Sequence, residues 1–211
     1  MPVVPMFPLQ SVLLPGMPLP LRIFEPRYRA LFDDVMAADA SFGVVLIERG
    51  GEVGGGDHRF ARGTFARVRG HRDVGDSILV AASGAERFEV VRWLEDDPYP
   101  RAEVRELPPL EWTEDQSQAR ASAERDVRRL LATASEFVDV PWSPDEELAD
   151  DPVLSTWQLA GIAPLGTLDR YALLTADTLP DLYVRLRTAV SDADELLRLS
   201  ALPGDDGEDL L

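Results

Sequence analysis

His58 and His71 are the only imidazoles in the 211-residue sequence. With Asp57 and Asp73 they could meet a metal ion across one hairpin. Nothing in the spacing enforces that, and each histidine has an arginine beside it, so both read as solvated residues at loop or strand ends. No Gly-x-Ser-x-Gly elbow precedes a serine, which leaves a Ser-His-Asp triad unsupported. All 21 basic residues are arginine, and neither lysine nor cysteine occurs. Without lysine there is no Ser–Lys dyad, no Schiff base and no phosphate-loop lysine. Without cysteine there is no disulfide, no thiol nucleophile and none of the usual zinc ligand sets.

Carboxylate runs are frequent: Asp33-Asp34, Asp96-Asp97, Asp145-Glu146-Glu147 and Asp150-Asp151. A catalytic pair needs two environments that drive the pKa values apart. These runs sit in loop-like or amphipathic settings and read as solvated faces, with Asp150 and Asp151 placed to favour a helix starting at Pro152. No nucleophile–base pair or cofactor site can be assembled, so neither an enzyme nor a cofactor is expected. One basic stretch stands out. Arg59, Arg62, Arg67, Arg69 and Arg72 fall close together with Phe60 and Phe65 between them. Such interleaving is a weak signature of a nucleic-acid stripe, and an edge strand kept soluble by charge is the preferred reading.

These residues must be positioned by two unlike halves. Residues 1–110 hold 13 arginines and 16 acids, a net of −3; residues 111–211 hold 8 and 22, a net of −14, which sums to the −17 of the whole. That balance repels nucleic acid and anionic membrane, so neither is an expected partner. The opening residues lack a basic n-region and a cleavage site, and no apolar run reaches bilayer-spanning length, so a cytoplasmic location is expected.

The first half reads as short β segments: Phe42–Ile47, Thr64–Val68, Ser77–Val80 and Arg87–Val91, separated by turn residues at Asp73–Asp76 and Asp96–Pro98. Strands at that spacing suggest a small barrel. One early helix starts at Pro26, with Tyr28, Leu31, Phe32, Val35 and Met36 at helical spacing, and is placed to plug the barrel. The glycine-rich run Arg49–Asp57 has no helix start after it and reads as a hairpin tip rather than a phosphate loop. Helices follow in the second half. The first opens with a Thr113/Gln116 capping box and continues through Ala123, Val127, Leu130, Leu131, Ala134 and Phe137. Others are expected at 152–162, at 167–175, and from 178 to Leu199, with Leu196 in the apolar stripe. Residues 1–108 thus form a β-barrel unit and 109–203 a helical bundle, with an acidic, disordered tail at 204–211.

The runs Phe7-Pro-Leu9, Leu14-Pro-Gly16, Leu19-Pro-Leu21 and Ile23-Phe-Glu-Pro-Arg-Tyr-Arg29 open a pattern that continues through Phe42–Ile47, Gly63-Thr64, Gly84–Val90, Pro98-Tyr99 and Ala102–Val104. In kind and order this resembles the N-terminal substrate-binding domain of Lon proteases over residues 3–106; the helical half is similar in layout only. The resemblance implies an α+β fold, a PUA-like pseudo-barrel followed by a helical bundle. It also implies recognition of unfolded or tagged proteins, which in full-length relatives happens ahead of an ATPase and a Ser–Lys protease. Neither of those domains is present in these 211 residues, so the reading is a stand-alone, non-proteolytic recognition module or adaptor. Its expected partner is an unfolded or specific client protein, and homodimerisation stays open. Residues expected to bind the client are Phe24, Arg27, Tyr28, Phe60, Phe65, Arg67 and Arg69. Arg27 could instead pair with Glu25, Phe88 is expected in the core, and Arg87 is expected to reach outward. The alternative is RNA binding along Arg59–Arg72.

Overall fold

The computed structural model describes residues 1–47 and 59–200. The glycine-rich run, Asp57, His58 and the acidic tail lie outside the described residues, so the hairpin-tip, metal and tail readings do too. Six strands and five α-helices are present among the described residues. In chain order these are β1 (Val3–Leu9), β2 (Pro18–Ile23), α1 (Pro26–Ala37), β3 (Ser41–Ile47), β4 (Arg59–Val74), β5 (Ser77–Trp93) and β6 (Arg101–Glu106). The helical half contains a single 3-10 turn at Glu114–Gln116, then α2 (Ser117–Ala134), α3 (Pro152–Ile162), α4 (Thr167–Leu174) and α5 (Leu179–Ser200).

The sheet runs β2-β5-β4-β3-β1-β6, and β6 pairs back onto β5. β5 is long enough to serve two neighbours on one edge. Its first half, Ile78–Ser83, carries β2, and its second half, Phe88–Trp93, carries β6. The ring β5-β4-β3-β1-β6 therefore closes. β4 and β5 are single long strands where the sequence suggests several short ones. Register shifts at Thr64/Ala66 and Val68/Gly70 let the paired strands bend without breaking. A two-residue turn joins them, with Gly75 at φ +57°, the region glycine enters without strain.

Inside the ring, Val4, Met6, Val45, Phe88, Ala102 and Val104 form a small core with Phe65 packed against it. Two glycines make room for Phe88. A Cβ at Gly63 would stand 2.5 Å from its ring and 2.3 Å from the Val44 carbonyl oxygen, and one at Gly43 would stand 3.0 Å from the ring and 2.5 Å from the Met6 sulfur.

The outer face of the ring bears Phe7, Phe42, Val44 and Ala66, which join α1 and the helical half in one larger core. Tyr28, Leu31, Phe32 and Val35 of α1 are buried at the expected spacing; Met36 is exposed. Trp157 of α3, Val127, Leu130 and Leu131 of α2, and Leu182, Tyr183 and Leu186 of α5 belong to the same core. α3 starts as expected, with the Asp151 carboxylate accepting from Leu154 N at 2.7 Å and Pro152 in the first turn. The Thr113 capping box does not form. The chain makes a 3-10 turn there with no side-chain cap bond, and α2 begins at Ser117. α2 ends at Ala134, which leaves Phe137 exposed, and Leu196 and Leu199 at the end of α5 are exposed as well. Those three continue a helical period beyond the point where another element covers it.

Candidate functional site

The end of β1, the end of β2 and the first turn of α1 enclose a cleft of about 350 Å³. Phe7, Leu9, Leu21, Ile23, Phe24, Tyr28 and Ile47 give it an apolar lining, and Gln10, Arg22, Glu25 and Arg27 contribute polar groups. Tyr28 stacks on Phe7 with ring centroids 4.2 Å apart and 24° between the planes, and Phe7 leans on Phe42 at 5.9 Å. Arg27 donates to the Glu25 carboxylate at 3.0 Å, and its guanidinium carbon lies 4.6 Å from the centre of the Tyr28 ring. Burial pushes the Tyr28 phenol above its ordinary pKa, and the charge of Arg27 pulls against that shift. Arg22 is held off to one side by the Ser77 hydroxyl, at 3.2 Å.

Phe24 is 63% exposed, and the local sequence explains why. Ile23 takes the inward position at the end of β2, so the next side chain points the other way. Glu25 is the N-cap of α1, which makes Phe24 the residue before the cap. Its usual apolar partner four positions into a helix is here Arg29. Arg29 instead donates to the Asp76 carbonyl at 2.8 Å.

Of the seven residues singled out in the sequence, Phe24, Arg27 and Tyr28 line this cleft, and Phe60, Phe65, Arg67 and Arg69 do not. Phe60 packs on Tyr171 of α4, at 4.3 Å between centroids, and Phe65 packs on Phe88 at 4.8 Å. Arg67 pairs with Glu86 at 2.7 Å, and Arg69 donates to Ser83 Oγ at 2.8 Å. Arg59 pairs with Asp96 at 3.1 Å and lies over Trp93, and Arg62 pairs with Asp177 at 2.7 Å. Three of the five arginines in the stretch, Arg59, Arg62 and Arg67, are thus paired with carboxylates, while Arg69 is held by a neutral hydroxyl. His71 lies on the exposed stretch of β4 against the edge of Phe32, at 5.1 Å between centroids. Among the described residues no three histidine, aspartate or glutamate side chains converge as a metal site.

Arg87 overturns its expected outward placement. It is 6% exposed, and its Nη1 donates to the carbonyls of Leu174 at 3.1 Å and Ala176 at 2.5 Å, beyond the end of α4. Its guanidinium carbon lies 5.1 Å from the Trp157 ring centre. Burial lowers its pKa to about 10. The opposite alternation from Phe88 was legible; that the helical half covers this face of β5 was not. A second cavity, of about 420 Å³, opens beside Arg87 and Trp157 between β5, the Leu107–Leu110 segment and α3. Of its polar lining, Arg87 is engaged as described, Glu86 pairs with Arg67 and Asp151 caps α3. A third, of about 540 Å³, lies along α2 and α5.

A six-stranded mixed sheet, five of whose strands close into a ring, is joined by a helical bundle in an α+β fold; α1 packs on the outer face of the ring and contributes nothing to the core inside it, so it does not plug the barrel as the sequence suggests. The sequence matches the profile of the ATP-dependent protease La (LON) substrate-binding domain over residues 3–191. The chain belongs to that family. It is 26% identical over 202 residues to Lon protease 1 of Herpetosiphon aurantiacus, covering 90% of this chain and 24% of that protein. To Lon protease 2 of Myxococcus xanthus it is 34% identical over 105 residues, covering 48% of this chain and 13% of the relative. The chain therefore spans about a quarter or less of the length of these curated relatives. Among solved structures, a Lon N-terminal domain protein from Xanthomonas campestris superposes with a TM-score of 0.63 at 27% identity, covering 90% of this chain and 98% of that one. The N-terminal domain of a Mycobacterium avium complex Lon protease gives 0.65 at 20% identity, a likeness of fold, covering 90% and 99%. No helix among the described residues is long and apolar enough to cross a membrane.

Proposed function

We propose that this chain is a non-catalytic recognition module that binds exposed apolar segments of unfolded polypeptides in the Phe24 cleft. The observation that carries the reading is the exposed Phe24 beside an apolar cleft, in a chain of a substrate-binding family. A solvated aromatic ring is expensive to leave bare and profitable to cover. Burying one contributes about 1.5–3 kcal/mol, roughly 10- to 150-fold in affinity. Arg27 offers a cation and Tyr28 a stacked ring at the rim, so the site can accept aromatic as well as aliphatic side chains.

The test is a titration, followed by tryptophan fluorescence, with an unfolded model polypeptide and with a short single-stranded RNA, each at low and near-physiological salt. Polypeptide binding that survives salt and falls at least tenfold in Phe24→Asp, with the melting temperature unchanged, supports the proposal. Equal binding by Phe24→Asp refutes the cleft as the site. Salt-sensitive RNA binding without polypeptide binding refutes the function, and would move it to the arginine stretch.

A further inference from the structure

The cleft is lined by two strands that each have an edge without a strand partner among the described residues. Among the described residues β2 pairs only with β5, and the Phe7–Leu9 end of β1 pairs only with β3, because β6 partners β1 no further than Pro5 and the Pro100 carbonyl takes the Met6 amide. Open edges of this kind are templates on which a peptide adds as an extra strand through main-chain hydrogen bonds. Which amides point outward can be worked out from the register.

In β2, Met17 accepts from Gly84 N at 2.9 Å, and the pairs Leu19↔Ala82, Leu21↔Val80 and Ile23↔Ile78 follow in phase. Those odd-numbered residues turn their amides toward β5, so positions 18, 20 and 22 face outward. Two of the three are proline. In β1, Met6 N donates to the Pro100 carbonyl at 2.8 Å, which puts the even-numbered residues on the β6 side. The next even position, past the end of β6, is Pro8. Of the outward positions at Pro8, Pro18, Pro20 and Arg22, only Arg22 has an N–H to donate. An added strand needs donors and acceptors in alternation, and these edges offer it almost only acceptors.

We infer that the cleft reads apolar side chains and leaves the backbone of its client unread, so that it accepts extended segments running in either direction. This rests on the function proposed above and specifies its mode. Strand addition would tie binding to one chain direction and to β-forming sequences, whereas side-chain reading tolerates any unfolded segment that presents a large apolar group.

The experiment titrates the protein with a short unstructured peptide carrying two phenylalanines in a Ser/Gln background. Its comparators are the reversed sequence, two versions with alternate backbone amides replaced by esters, and a version with both phenylalanines replaced by serine. The expected result is that the amide, ester and reversed peptides bind within about threefold of one another, the serine peptide at least tenfold more weakly, and that Phe24→Asp weakens the first three by the same factor. If an ester or the reversed peptide loses tenfold while the amide peptide binds in a Phe24-dependent way, the inference is overturned and the proposed function stands. If the amide peptide does not bind at all, the proposed function fails and the inference falls with it.

Discussion

Replacing Arg87 with methionine removes the charge and the hydrogen bonds while keeping most of the volume, so its effect isolates the contact that ties β5 to the end of α4. Two hydrogen bonds from a charged donor contribute about 1.5–3 kcal/mol each, and the Trp157 contact about 0.5–2 kcal/mol. Desolvation opposes them. The same burial that brings the guanidinium down to about 10 costs roughly 3 kcal/mol at neutral pH, where the group is still charged. Methionine escapes that cost, and the Leu174 and Ala176 carbonyls it leaves unpaired are the same loss seen from the acceptor side. The balance is a loss of about 3 kcal/mol, which at this chain length is a fall of roughly 6–12 °C in melting temperature. Urea unfolding followed by tryptophan fluorescence should show a lower midpoint with an unchanged slope. Arg87→Lys should fall between, since one ammonium cannot reproduce a planar donor stacked on an indole. If Arg87→Met lies within about 1 kcal/mol of the wild type, the buried arginine is not what joins the two halves, and the energetic reasoning fails.

Within the strands, Gly63→Ala should cost about 3 kcal/mol, because its Cβ would meet a backbone oxygen at 2.3 Å and the Phe88 ring at 2.5 Å; Gly70→Ala, with nothing within 4 Å, should be neutral or slightly stabilising in the same urea assay. Tyr99 donates to Asp34 at 2.6 Å, and burial first, then that bond, raises its pKa to about 12. Because the folded state holds this proton more tightly than the unfolded chain, the contribution is complete below pH 10 and is lost as the pH rises from 10 through 12. Tyr99→Phe should therefore lower stability at pH 8 by about 1–2 kcal/mol and flatten the decline above pH 10, and an unchanged alkaline decline would show that another group causes it.

Much of the first half was legible because its punctuation is chemical. Pro26, with its fixed φ and missing N–H, suits a first helical position, and Gly75 falls in the Asp73–Asp76 turn. The long strands β4 and β5 were not legible, since Gly63, Gly70 and Gly84 read locally as breakers. Gly63 and Gly84 are there because another atom occupies the place of a side chain: the Phe88 ring at Gly63, the Leu14 carbonyl at Gly84. The cleft was half legible. Phe24, Arg27 and Tyr28 are neighbours in sequence and stay neighbours in space. Phe60, Phe65, Arg67 and Arg69 share a strand with one another and not a surface with the cleft, and each is engaged elsewhere, with Tyr171, Phe88, Glu86 and Ser83 in turn. No periodicity could reveal that, nor that the face carrying Arg87 is roofed by helices.

That roof explains how an arginine-only complement of cations is used. Arg170 donates to three carbonyls, Gly161 at 2.7 Å, Ala163 at 2.8 Å and Leu165 at 3.1 Å, around the end of α3. Arg62 and Arg87 take the carbonyls of Leu174, Thr175 and Ala176 at the end of α4, and Arg185 takes that of Ala172. Helix C-termini present unpaired carbonyls and partial negative charge, and a flat fork with several donors meets them where a single ammonium would reach fewer. These cations are therefore spent inside the fold, at junctions rather than on the surface. The helical half carries most of the negative charge, −14 of −17, while the charged groups lining the cleft are Arg22, Glu25 and Arg27, of which the last two form a pair. On the proposed function, recognition at the cleft would depend on apolar burial and little on charge. The same reading gives the acidic half a long-range field that would draw basic clients toward the molecule and repel acidic ones, so association of a basic peptide should slow with added salt more than that of an acidic one of equal apolar content.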